Sequence, residues 1–219
     1  MTHTDMNDLT LDELRPLLAR ELPRHAAFDG WGARAVESAA ANLRIKPEIA
    51  ALVFDSKAAM IDAWFDAIDA DMLESLPPET LASMKIRQRI TALVEARITL
   101  LTKNREALRR ATAILAMPQN VPLAAKLGWR AADAMWHAAG DTATDYNHYT
   151  KRAILGSVYA ATLAVFLQDD TADQSETRAF LARRIEGIMR FEKAKAKWTA
   201  GPAIGFSPSR FFGRLRYPG

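Results

Sequence analysis

Apolar residues recur at intervals of three and four along nearly the whole chain, and no stretch alternates as a half-buried strand would. Leu11, Leu14, Leu18 and Leu22 form the first stripe, which Pro23 is expected to end. A second short helix is predicted over 31–43, and Pro47 opens a third, PEIAALVF. Ser56 caps a fourth that carries Trp64, Phe65 and Met72 up to Pro77 and Pro78. The spacing predicts a fifth helix over 79–103, burying Ile86, Ile90, Leu93, Val94 and Leu101. Asn104 caps NREALRRATAILAM, which Pro118 ends, and Pro122 opens a seventh helix closed by Gly140. Thr142 or Thr144 caps the eighth, running to about Gln168, and Ser175 caps the ninth, ETRAFLARRIEGIMRFEKAKAKW. The loop between them, DDTADQ, reads as a solvated connection, and the Gly- and Pro-rich tail as irregular. The fold class is all-α, about nine helices. The pattern divides the chain into residues 1–55, residues 56–197 and a basic, aromatic tail over 198–219.

Composition narrows this picture. With 49% hydrophobic and 25% charged residues, the 219-residue chain is that of a protein with a substantial core. It has no cysteine, which excludes disulfides and thiolate metal sites. The acidic start MTHTDMNDLTLDEL fits neither a secretory signal nor a basic transit peptide. The uncharged run AILGSVYAATLAVFLQ is shorter than the ~20 residues that span a bilayer. A soluble protein, or one lying on a membrane surface, is expected.

Charge is unevenly spread. Residues 1–76 hold 7 Lys/Arg against 14 Asp/Glu, residues 77–168 hold 12 against 6, and residues 169–219 hold 10 against 6. The acidic N-terminal part is not expected to share a polyanionic partner with the basic remainder.

Enzyme signatures are missing from the sequence. There is no phosphate-cradling glycine loop, no G-x-S-x-G elbow and no H-E-x-x-H, and none of the four histidines follows a Glu-x-x spacing. Asp133 and His137 share a helical face, but without further ligands they read as a surface hydrogen-bonded pair. DDTADQ lacks the glycine and distal Glu of an EF-hand. The chain is read as non-enzymatic, with no cofactor.

The segment DGWGARAVESAAANLRIKPEIAALVFDSKAAMIDAWFDAID has the rhythm of a TetR-type helix-turn-helix. A recognition helix needs side chains for phosphates and base edges, and PEIAALVF offers one glutamate and no Arg, Asn or Gln. A helix-turn-helix shape that no longer binds DNA is expected. In the tail, Lys193, Lys195, Lys197, Arg210, Arg214 and Arg216 interleave with Trp198, Phe206, Phe211, Phe212, Leu215 and Tyr217. That composition suits single-stranded nucleic acid, an anionic membrane surface, or a tail that simply covers apolar surface.

The run WRAADAMWHAAGDTATDYNHYTKRA, with HAAFDGWGARAV and RRIEGIMRFEKAKA, resembles the TetR-like ubiquinone biosynthesis accessory family, the lipid-binding ninth member of the coenzyme Q protein set. The resemblance covers roughly residues 20–197. It implies a TetR/FadR-like fold with an N-terminal helix-turn-helix-like subdomain and a ligand-binding-type helical bundle. It also implies a homodimer holding an isoprenoid or phospholipid, and a non-enzymatic role. That role is to present a quinone intermediate to the di-iron demethoxyubiquinone hydroxylase, from a cytoplasmic position peripheral to the inner membrane. The alternative is a ligand-responsive TetR-type transcription regulator, for which the acidic N-terminal part is ill suited.

By the same resemblance, partner binding falls on Asp145, His148, Tyr149 and Arg152, with His148 standing where the family usually has tryptophan. Read from residue types alone, Tyr146 and Tyr149 either cap the helix and pack on Trp136 or form an interface hot spot. Arg152 either contacts the partner or holds Asp141 or Asp145. The lipid-lining candidates are Leu101, Leu115, Trp129, Met135, Ile154, Val158 and Leu163, on the helices that enclose TetR-type pockets. An anionic membrane surface is assigned to Trp198, Phe211, Phe212 and Arg214.

Overall fold

The computed structural model describes the backbone of residues 6–142 and 146–200, and their side chains except those of 146, 147, 189 and 191–200. Among these residues there is no strand, and ten α-helices follow one another: α1 (Leu11–Asp29), α2 (Ala33–Leu43), α3 (Pro47–Ala50), α4 (Lys57–Ser75), α5 (Pro78–Ala82), α6 (Ile86–Thr102), α7 (Arg105–Leu115), α8 (Val121–Ala138), α9 (Tyr146–Phe166) and α10 (Ser175–Ala200). Contacts group the chain into two units, Met1–Ala182 and Arg183–Gly219.

In the first unit α1 packs on α2, α4 and α7, while α4 also reaches α6 and α8, and α8 lies along α9. The α1 stripe Leu14, Leu18, Leu22 and Ala26 is fully buried. Trp31, in the turn before α2, stacks on Trp64 of α4 with centroids 5.2 Å apart. Its indole N–H donates to the Ala107 carbonyl at 3.1 Å, so the N-terminal helices are tied to α7. Fully burying a side chain of this class contributes ~1.5–3 kcal/mol.

Pro23 does not end α1, which continues six residues further with both Pro16 and Pro23 inside it. An interior proline costs ~3 kcal/mol. Pro23 is itself buried with Leu22 and Ala26 against the neighbouring helices, and this packing outweighs the lost backbone bond. The stretch predicted as one helix over 79–103 is two, α5 and α6, broken at Ser83–Lys85, which raises the count from nine to ten. Ile86, expected inside, is 43% exposed because it sits at the first residue of α6 beyond the break.

Ser56 caps α4 as expected, accepting from the Ala59 amide at 3.1 Å. Gly140 closes α8 at φ +88, where a side chain is strained. A Cβ there would also lie 3.2 Å from the Arg89 guanidinium, which itself donates to the Ala139 carbonyl at 2.9 Å.

The acidic loop before α10 is not simply solvated. Asp169 is 1% exposed and accepts from the amide and hydroxyl of both Thr171 and Thr177. Burial pushes its carboxyl up, and these four hydrogen bonds more than reverse that, holding it well below the usual carboxylate range. Asp169 and Thr171, rather than Ser175, supply the acceptors for the first turn of α10, taking the Thr177 and Glu176 amides. Its own carbonyl takes Arg105 at 2.6 Å, and the Leu167 carbonyl takes Arg109 at 2.8 Å, which satisfies the end of α9.

Candidate functional site

The helix-turn-helix region retains its outline but not a recognition helix. PEIAALVF forms only the single turn of α3, since the Leu52 and Val53 amides close back onto Ile49 and Ala50 and bring Val53 and Phe54 into the core. Arg15 fixes the following loop, lying over the Phe54 ring and donating to the Val53 and Ala59 carbonyls.

The α8–α9 pair holds the densest chemistry. Arg152 is 1% exposed. Its Nε donates to the Asp133 carboxylate, and its Nη1 donates to Asp141 Oδ2 at 3.2 Å and to the His148 carbonyl at 3.1 Å. Asp141 also takes Lys151 at 2.6 Å. Lys151 in turn lies 5.3 Å above the Trp136 ring, whose N–H donates to the Lys151 carbonyl. Arg152 therefore joins α8, the turn and α9 from inside, which is the second of the two readings of it, holding Asp141, rather than a place on the partner surface. A buried guanidinium that already has three acceptors has little left to offer a second protein. Asp133 also meets His137, whose Nδ1 lies 3.0 Å from the Asp133 carbonyl oxygen, so that pair is the hydrogen-bonded surface pair expected.

This internal brace sets the rings beside it facing out. Tyr149 is 61% exposed and Trp129 38%. His148 and Tyr149 meet edge to face at 5.1 Å, Trp129 and Tyr149 at 6.0 Å, and Trp129 and His148 at 6.5 Å. Tyr149 thus packs on Trp129, not on Trp136, and Trp129 belongs to this surface cluster, not to an interior lining. The sequence holds the signal for the second correction: the buried row of α8 is Leu127, Ala131 and Met135, and Trp129 is half a turn out of phase with it. Asp145 lies outside the described residues.

Of the remaining lining candidates, Leu101 and Met135 are fully enclosed, Leu115, Val158 and Leu163 are buried, and Ile154 is half-buried. Helices α6, α7, α8 and α9 bring them into one bundle. On another side of α6, a crevice bordered by Ile98, Thr99, Gln174, Thr177 and Leu181 has about 10 Å³ of water-sized space, enough for one water and too little for a lipid chain. The α8–α9 crossing is close: a Cβ on Gly156 would stand 3.3 Å from the Gly128 carbonyl oxygen.

Sequence reasoning missed a polar cluster within the bundle. Arg97 of α6 is fully buried and pairs through Nη1 with Asp69 of α4, while its guanidinium lies 4.8 Å over the Tyr159 ring of α9. Asp69 also accepts from Arg130 Nε at 3.2 Å, and Arg130 continues to Asp62 at 2.6 Å and Asp66 at 3.0 Å. Asp62 takes Lys126 as well, at 3.3 Å. Burial pushes the Asp62 carboxyl up, and Arg130 and Lys126 outweigh this and hold it below its ordinary value. The clue was a charged residue in phase with Ile90, Leu93, Val94 and Leu101. Among the described residues, no group of three or more His, Asp or Glu is placed to hold a metal, and no helix is long and apolar enough to cross a membrane. The assigned membrane residues Phe211, Phe212 and Arg214 lie outside the described residues. Trp198 falls within α10, but its side chain is not among those described.

A family model described as COQ9 matches residues 121–192, the stretch that carries Trp129, Asp133, Asp141, His148, Tyr149 and Arg152. Proteins called "Ubiquinone biosynthesis protein COQ9, mitochondrial" align over 183 residues, 80% of this chain: that of Rattus norvegicus at 32% identity, of Bos taurus at 31% and of Homo sapiens at 30%. The chain spans 59%, 57% and 58% of the length of these relatives. Among solved structures, a TetR transcriptional regulator from Nitrosomonas europaea ATCC 19718 superposes with a TM-score of 0.63 at 23% identity, over 80% of this chain and 97% of that one. That likeness establishes a TetR-like all-helical fold.

Proposed function

The chain belongs to the COQ9 family, and from that premise we propose that it is a non-enzymatic, lipid-binding accessory protein of ubiquinone biosynthesis. It presents a quinone intermediate to a membrane-associated di-iron hydroxylase. The observation that carries this reading is the exposed Trp129–His148–Tyr149 cluster, which lies within the family-matching stretch on a turn braced from below by Arg152. Exposed aromatic rings with hydrogen-bonding ends, held on a rigid support, have the composition of an interface centre. The single-turn α3 and the acid excess over residues 1–76 support this reading over that of a DNA-binding regulator, because counterion release from a polyanion needs basic side chains.

A lipid carrier solves a physical problem for such a pathway. Each CH₂ of a polyprenyl tail brought into water costs ~0.8 kcal/mol, so a tail leaves the bilayer only into another apolar environment. The α6–α9 bundle, with Leu101, Leu115, Met135, Ile154, Val158 and Leu163, is the region proposed to receive an isoprenoid or phospholipid. The basic aromatic tail, with Trp198, Phe211, Phe212 and Arg214, is proposed to rest on the anionic membrane surface, and the protein to act as a homodimer from the cytoplasmic side. Binding of the purified hydroxylase, measured by calorimetry for the native chain and for Tyr149→Ala, tests the partner surface. Loss of affinity with unchanged thermal stability is expected, and equal affinity of the two proteins would reject the surface.

A further inference from the structure

The Asp69–Arg97–Tyr159 cluster has more hydrogen-bonding capacity than its protein partners use. Arg97 Nε and Nη2 and the Tyr159 hydroxyl are all buried and meet no acceptor from the protein. Arg97 matches Asp69 in charge through Nη1 alone, which leaves the rest of its fork of donors over. Buried donors left over in the wall of an apolar bundle match an oxygen brought in from outside.

Building on the proposal that this bundle receives a lipid, we infer that Arg97 and Tyr159 anchor the oxygenated end of that lipid, and that the group they recognise is a neutral carbonyl oxygen. Charge balance selects neutrality. Within the linked cluster, the cations Arg97, Lys126 and Arg130 match the anions Asp62, Asp66 and Asp69, so a carboxylate or phosphate would bring an unmatched charge into the interior. Donor type selects an acceptor. Burial pushes the Tyr159 hydroxyl up and keeps it protonated, so phenol and guanidinium both present hydrogens. The ligand class is an apolar chain ending in a ketone- or quinone-type carbonyl, with the chain running along the leucine-rich bundle and the oxygen at the α4–α6–α9 junction.

The test compares two probes with the same ten-carbon chain, decyl-1,4-benzoquinone and decylbenzene, binding to the native full-length chain and to Tyr159→Phe. The phenylalanine keeps the ring over Arg97 and removes only the phenolic oxygen, and the ligand-free melting temperature of both proteins is measured so that a loss of stability from the Arg97–Tyr159 contact is separated from the loss of the ligand bond. Expected is a loss of about fivefold to tenfold in benzoquinone affinity, the range of one hydrogen bond, with decylbenzene unchanged. The ¹³C-labelled carbonyl stretch, shifted down when bound to the native protein, is expected to return upward in the variant. Equal benzoquinone affinities, equal losses for both probes, or tighter binding of decanoate than of the quinone would overturn the carbonyl assignment. If decylbenzene and decanoate bind in those cases, the lipid reading stands. Failure of every alkyl probe to bind the native chain would overturn the lipid reading itself, and the anchor with it.

Discussion

Arg152→Ala removes the guanidinium that links Asp133, Asp141 and the His148 carbonyl from a position 1% exposed. Deleting one partner of a buried pair costs ~3–5 kcal/mol because the remaining charge is stranded. Here the stranding is partial: Asp141 keeps Lys151 at 2.6 Å, and the Asp133 side chain is 35% exposed and keeps His137. The lower end, ~3 kcal/mol, is expected, to which the lost His148 carbonyl bond contributes about 1 kcal/mol. For a chain of this size that lowers the thermal midpoint by roughly 6–12 °C. Differential scanning calorimetry reads the loss, and calorimetric titration with the hydroxylase reads the consequence for binding. A destabilised variant whose folded fraction binds weakly fits an internal brace that positions His148 and Tyr149. A variant as stable as the native chain that has nonetheless lost binding would refute the brace and return Arg152 to the contact surface.

Tyr149→Ala, at an exposed position, is expected to change stability by less than about 0.5 kcal/mol yet to weaken hydroxylase binding by roughly 2 kcal/mol, about thirtyfold, in the same titration. Asp169→Ala removes both acceptor oxygens at the start of α10 and is expected to cost about 1–2 kcal/mol at neutral pH by urea denaturation. Because the Asp169 carboxyl is held below its ordinary value in the fold, its contribution is full above the unfolded value near 3.9 and fades as pH falls through the lower folded value. The gap between variant and native chain should therefore narrow below about pH 4, and a gap constant from pH 7 to pH 3 would contradict this. Gly140→Ala places a side chain at φ +88 against Arg89 and is expected to cost at least about 1–2 kcal/mol, read by the same denaturation.

Much of the helical frame was legible because its punctuation is local. Ser56, Pro47 and Gly140 each act through their own backbone or their neighbours', and each marks an end where expected. The errors arose where distant packing decides. Pro23 is a breaker by its own chemistry, and only its burial in the α1 interface keeps the helix running. DDTADQ looks hydrophilic, yet two threonines fold around Asp169 and take it out of solvent. At the candidate site, residue types admitted the Arg152–Asp141 link but not the bond of Arg152 to Asp133, which lies one helix earlier. Trp129 was misplaced by grouping it with the interior of α8, when its phase against Leu127, Ala131 and Met135 puts it outside. Arg97 and Asp69 escaped notice because a charged residue within an apolar stripe is easily passed over as a solvated exception.

Organic extraction of the full-length chain, purified without detergent and followed by lipid mass spectrometry, bears most directly on the carrier reading. The expected result is an isoprenoid or phospholipid near one molecule per chain, exchangeable for added alkyl quinone. No lipid above the buffer control, together with no uptake from quinone-loaded vesicles, would contradict it.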